Sequence, residues 1–332
     1  MKLTHFILLI LLLSSCSKSD LKYQTSFYYW RTVFKLNDTE KHVIASNKVE
    51  RLYVRYFDVD VSENGIPFPV AKISFADSAT CKIIPVVFIK NQVMLNEKLN
   101  ISQLTSNITS LVMQINEQTN SELHEIQIDC DWSAKSKDRF MAFMKELREK
   151  WSGKLSATIR LHQVKYFHQT GIPPVDYGVL MFYNMGKIDE LTNNSIYDEA
   201  IAKQYTPSIS QYPLPLKIAL PIFSWGIHTQ NNQVMGLWNK KTWNDLNNHA
   251  NLKKIAQNRF QVISSFYEDG RFFQKNDIIV HENVSEENLL NIANNLSILN
   301  ANFDTEIIFY DLDSINTINY DEDIFKNVSI QF

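Results

Sequence analysis

HEIQIDCDW, residues His124 to Trp132, decides how this chain is read. Side chains of an extended strand alternate between two faces, so Gln127, Asp129 and Asp131 share one side while Ile126, Ile128 and Cys130 take the other. Two acids about 6–7 Å apart on one face repel each other, and burying them unpaired is costly. An ordinary half-buried strand turns its apolar side inward and has no use for such a pair. The pattern asks either for a functional site at the strand end or for an Asp-x-Asp that caps the next helix.

Working outward from this strand, apolar runs alternate with helical periods. Strands are expected at Phe27–Phe34 (FYYWRTVF), Arg51–Phe57, Lys82–Lys90, the acidic segment itself, Leu155–Leu161, Tyr177–Tyr183, Lys217–Phe223 and Glu306–Tyr310. Helices are expected at 38–49, 101–118, where Leu104, Ile108, Leu111, Val112 and Ile115 recur, at 135–151 and at 285–299. Eight strands separated mainly by helices point to an α/β fold, a closed (β/α)8 TIM barrel. Residues 225–283 break the rhythm with Trp238, Trp243, a turn at Asp269-Gly270 and a strand-like DIIVHE, and read as an insertion after strand seven. The expected organisation is a signal segment 1–15, a tether 16–24 and a single barrel domain 25–332.

A chain of 332 residues, 45% of them hydrophobic, is long enough for one large core. A formal charge of −3, with 33 scattered Lys and Arg, supplies no basic field, so no nucleic-acid partner is expected. Lys2, the apolar run Phe6–Leu13 and the tetrapeptide Leu13-Ser14-Ser15-Cys16 resemble the signal and lipobox of bacterial lipoproteins. That resemblance implies acylation of Cys16, for instance with palmitate, and membrane attachment through it. The apolar run is about half the ~20 residues that a membrane span needs. Ser17 after Cys16 does not resemble the Asp retention signal of some inner membranes, which places the expected anchor in the outer membrane of a cell envelope. Cys81 and Cys130 both fall in apolar strand-like stretches and read as free thiols, with a disulfide as the other option in an oxidising compartment. No zinc spacing is present, nor GxGxxG, GxxxxGK[ST], HExxH or GxSxG, so no cofactor and no metal are expected.

HEIQIDCDW, followed by LMFYN (180–184) and LPIFSWG (220–226), resembles the motifs of the family 18 glycoside hydrolases, the chitinase-like barrels, and also a family of bacterial lipoproteins with the same IQIDxD strand. The likeness follows element order over residues 25–313 and rests on about three short motifs. By this resemblance Asp131 stands at the family's catalytic Glu, Asp129 at the assisting Asp, Tyr183 at the Tyr that contacts the reacting sugar and Asn184 at its neighbouring Asp; Gln127 and His124 replace two further Asp. The implied chemistry is protonation of a glycosidic oxygen by Asp131, helped by Asp129, with Tyr183 and Asn184 steadying substrate. Asp for Glu shortens the acid by about 1 Å, and misplacement on that scale costs ~100-fold in rate. A noncatalytic glycan-binding or assembly lipoprotein on the same barrel is the alternative.

Aromatic residues near predicted strand ends, Trp30, Trp132, Trp225 and Tyr310, together with Gln127, are the expected substrate contacts, because sugar C–H faces pack on aromatic rings. Arg31, His162 and the pair His281-Glu282 are further candidates, although a lone His is more often a structural hydrogen-bond partner. Asp58/Asp60 and Asp311/Asp313 repeat the paired-acid pattern; hard cations favour such oxygens, while turn residues are the blander reading. The sequence thus leads to an expected monomeric, lipid-anchored barrel that acts on or binds a glycan.

Overall fold

The computed structural model describes residues 23–119, 121–189, 194–299 and 301–332; Cys16, the signal segment and most of the tether lie outside them. Eight parallel strands, β1 (Gln24–Tyr29), β2 (Arg51–Val61), β3 (Lys82–Ile89), β4 (Glu125–Asp129), β5 (Lys154–Arg160), β6 (Tyr177–Met181), β7 (Leu216–Pro221) and β8 (Phe303–Tyr310), pair in chain order. β1 pairs with both β2 and β8, which closes the sheet. The fold is the (β/α)8 barrel read from the sequence.

Helices cover the outside because their apolar stripes match the outward face of the strands. Ile101–Asn116 is started by the Asn100 side chain, which accepts from the Gln103 backbone N–H, and buries Leu104, Ile108, Val112 and Ile115. Lys137–Lys150 buries Phe140, Phe143, Met144 and Leu147. Cys81 and Cys130 are both free. The expected strand 27–34 ends at Tyr29, because only the stretch up to Tyr29 pairs with β2 and β8; Val33–Phe34 instead pairs with Ser74–Phe75.

Inside the barrel the sequence alternation produces an unusually polar interior. Glu306 accepts from Ser26 Oγ at 2.5 Å and Lys217 at 2.6 Å, on the two strands flanking its own, and from Arg51 on β2 at 2.9 Å. Glu125 accepts from Ser156 at 2.9 Å and from the Tyr177 hydroxyl, and the Lys217 ammonium lies 3.9 Å from the Tyr177 ring centre. Each buried charge on this floor therefore has direct partners.

Between β7 and β8, Trp225–Gln230, Gln233–Asn239, Leu252–Ala256, Arg259–Val262 and Ile278–Glu282 form a five-stranded antiparallel sheet with its own core of Trp238, Leu246, Leu252, Phe260, Val262, Phe273 and Ile279. The anticipated turn at Asp269-Gly270 joins two short strands, both residues having positive φ, 49° and 71°.

Candidate site at the barrel mouth

β4 and β5 lie parallel with Gln127 opposite Ser156, and the same offset carries the next inward positions into pairs. Thr158 donates to Asp129 at 2.6 Å, and Arg160 engages both oxygens of Asp131, its Nη2 at 3.0 Å from Oδ2. Two acids and their two partners thus come from one strand register at the C-terminal end of the barrel, where sites of this fold assemble.

The two acids differ in what holds them. Asp129 is buried and its pKa is raised to about 6: burial is the main cause, Arg160 and the Thr158 hydrogen bond oppose it, and Asp131 and Asp58 add to it. Asp131 is 44% exposed at its side chain and bound fork-on by the guanidinium. Burial opposes the charge on Arg160, but Asp131 outweighs it and raises the Arg160 pKa. Both oxygens of Asp131 are thus taken by one planar guanidinium, the bidentate geometry of an arginine–carboxylate pair.

A run of rings lines the mouth. Trp30 lies 5.5 Å from Tyr310, Tyr310 5.6 Å from Tyr183, Tyr183 5.8 Å from Phe223 and Phe223 5.1 Å from Trp225. Trp30, Phe223 and Tyr310 are half-buried and keep part of their surface open. A cavity of 620 Å³ opens beside Trp30, lined also by Arg31, Lys35 and Arg55, with the Arg55 guanidinium 5.6 Å from the Trp30 ring.

Other expected site residues are placed differently. Trp132 is wholly buried, stacked 4.4 Å from Phe140 with its indole N–H on the Thr170 carbonyl, so it packs in the helix-facing layer rather than on the rim. Gln127 is also wholly buried, its amide held by Tyr28 at 2.6 Å and Ser156 at 3.3 Å, which makes it part of the interior rather than a substrate contact. Trp225 is largely buried and donates to Glu282 at 2.8 Å. The Tyr183 hydroxyl points at the Met181 sulfur at 2.8 Å, and burial raises its pKa strongly. Asn184 is exposed at φ 53°, with its backbone N–H on the Ile196 carbonyl. His162 has its pKa lowered, mainly by burial.

The repeated acid pairs are satisfied within the protein: Asp58 by Arg55, Asp60 by Lys90, Asp311 by Asn316 and Asp313 by Lys240. No group of three or more His, Cys, Asp or Glu able to hold a metal ion occurs among the described residues. Sequence reading missed Arg160 and Thr158. The signal was present, since the inward alternation of Ser156, Thr158 and Arg160 in β5 mirrors that of Gln127, Asp129 and Asp131.

No protein-family model matches the chain and no curated protein is similar to it. Solved structures do match over nearly its whole length. The spore cortex-lytic enzyme SleL of Bacillus cereus shares 12% identity at a TM-score of 0.54, covering 93% of this chain and 74% of that one. A chitinase of Bacteroides thetaiotaomicron shares 11% at 0.52, covering 93% and 96%. A chitinase-like agglutinin of Robinia pseudoacacia shares 12% at 0.52, covering 92% and 98%. Enzymes and an agglutinin thus stand equally near, and identities this low speak for architecture alone. In fold, the chain is a closed (β/α)8 barrel similar to those of these chitinase and chitinase-like structures.

Proposed function

We propose that the chain is a lipid-anchored envelope protein that holds a glycan at the barrel mouth without cleaving it. The observation that carries this reading is the Arg160 fork on Asp131, which occupies the acid at the family's proton-donor position. The part-open rings of Trp30, Phe223 and Tyr310 offer stacking faces, and the Arg160–Asp131 pair offers a rigid donor–acceptor edge for sugar hydroxyls. Chitooligosaccharides are the first ligands to try, because the fold neighbours include a chitinase and a chitinase-like agglutinin. Calorimetric titration of the full chain with chitotetraose should give saturable binding, intact tetramer recovered by mass spectrometry, and an affinity at least about tenfold weaker in Trp30→Ala. Equal affinity in the variant would remove the mouth as the site.

A second reading is favoured by Asp129, whose pKa of about 6 makes it partly protonated near neutral pH. In that hydrolase, substrate draws Arg160 away and Asp131 becomes the general acid, assisted by Asp129 and Tyr183. Anchoring in the outer membrane through Cys16 belongs to both readings and rests on the lipobox-like LSSC. Labelling with a palmitate analogue should be lost in Cys16→Ser; persistence of label in that variant counts against it.

A further inference from the structure

A second cavity, 540 Å³ in volume, lies between the insertion and Asn194 of the β6–β7 segment and shares no lining residue with the cavity beside Trp30. One wall is Trp243, 36% exposed, its ring fixed by edge contacts to Phe260 at 5.3 Å and His281 at 5.8 Å. The Lys254 ammonium sits 4.4 Å from that ring. Gln257, Asn258, Asn283 and Asn194 also line it; the Asn194 amide donates to the Asn283 carbonyl at 2.7 Å, while the side-chain amides of Gln257, Asn258 and Asn283 make no hydrogen bond to another side chain among the described residues.

The other polar groups of the cavity are already engaged. Glu282 accepts from the Ser195 backbone N–H at 2.9 Å, the Ser195 hydroxyl and the Trp225 indole at 2.8 Å. His281 bonds the Lys241 carbonyl at 3.1 Å, and burial pushes its pKa down to about 4, so it stays neutral. Among the described lining residues, Lys254 is therefore the charge not already spent on a polar side chain, the Glu282 carboxylate being held by its three donors. A rigid aromatic face, several unengaged amides and one cation in a cavity of ligand size match the chemistry of a hydroxylated ring that bears an acid group.

We propose that this cavity is a second saccharide site, formed by Trp243, Lys254 and the amides of Gln257, Asn258 and Asn283, which prefers a carboxylate-bearing sugar to a neutral one. It touches the ring run through the Trp225–Glu282 hydrogen bond, shares no lining residue with the cavity beside Trp30, and does not rest on the reading given for the mouth. The test is calorimetric titration of the full chain with trigalacturonate and with cellotriose, on wild type, Trp243→Ala, Lys254→Ala and Trp30→Ala, with thermal melting confirming the fold of each. Trigalacturonate should bind wild type more tightly than cellotriose, and Trp243→Ala should weaken it by at least about tenfold. Lys254→Ala should level the two probes, and Trp30→Ala should leave the trigalacturonate site intact. No saturable binding to folded wild type, unchanged binding in folded Trp243→Ala, or loss confined to Trp30→Ala overturns the proposal; should Trp243→Ala fail to fold, unequal affinities retained in Lys254→Ala overturn it.

Discussion

The floor and the mouth of this barrel are both lined by acids, yet they are built to opposite ends. On the floor, Glu306 receives a serine, an arginine and a lysine, and Glu125 a serine and a tyrosine. At the mouth, Asp129 has one hydroxyl donor and a pKa of about 6, while the neighbouring Asp131 is half in solvent and forked by Arg160. The floor is a closed network that fixes the strands to one another. The mouth keeps one acid poorly solvated and one ion pair in reach of solvent, which is the arrangement expected where a ligand is to be met.

The largest effect should come from breaking the floor. Lys217→Met leaves Glu306 with a buried charge and one cation fewer, and unfolding in urea should show a loss of about 3–5 kcal/mol. A loss below about 1 kcal/mol would mean that the floor is not the structural half of the pair.

Asp129→Asn should act next in size and in the other direction. The folded pKa of about 6 lies above the ordinary 3.8, so between these values the folded chain keeps a proton that the unfolded chain has released. Stability conferred by that proton is complete below about pH 4 and is lost as pH rises through about 6. The variant should therefore gain on wild type above pH 6, by at most about 3 kcal/mol, and gain nothing near pH 3. Asp311, whose pKa burial also raises to about 6, should leave part of the slope in place. Melting curves across pH 3–8 measure this; identical slopes in both proteins would contradict the assignment.

The smallest effect should be at the mouth's edge. Arg160→Gln removes the fork while keeping a polar side chain, and should weaken chitotetraose binding about tenfold, with a melting temperature changed less than that of Lys217→Met. Binding that tightens instead would show that the fork blocks the ligand rather than meeting it.

Much of this was legible in the letters, and the misses have one physical origin. Strand alternation correctly put Gln127 and Asp129 inside, and the same parity places Trp132 with Ile126, Ile128 and Cys130 on the helix side, where it lies. Treating Trp132 as a rim aromatic ignored that parity. Alternation gives the face but not the depth along the barrel, so it does not reveal that the Gln127 amide is spent on Tyr28 and Ser156. Arg160 comes from another strand, and only the register between β4 and β5 brings it onto Asp131. Such a partner is invisible to motif comparison yet decides what the motif acid can do.

Whether the mouth holds a glycan without cleaving it is decided by release of reducing ends from chitotetraose by the full chain, measured beside Asp131→Asn and Arg160→Gln. None of the three should release reducing ends above blank, while wild type still binds the sugar. Turnover by wild type that disappears in Asp131→Asn would contradict it and restore Asp131 as the acid.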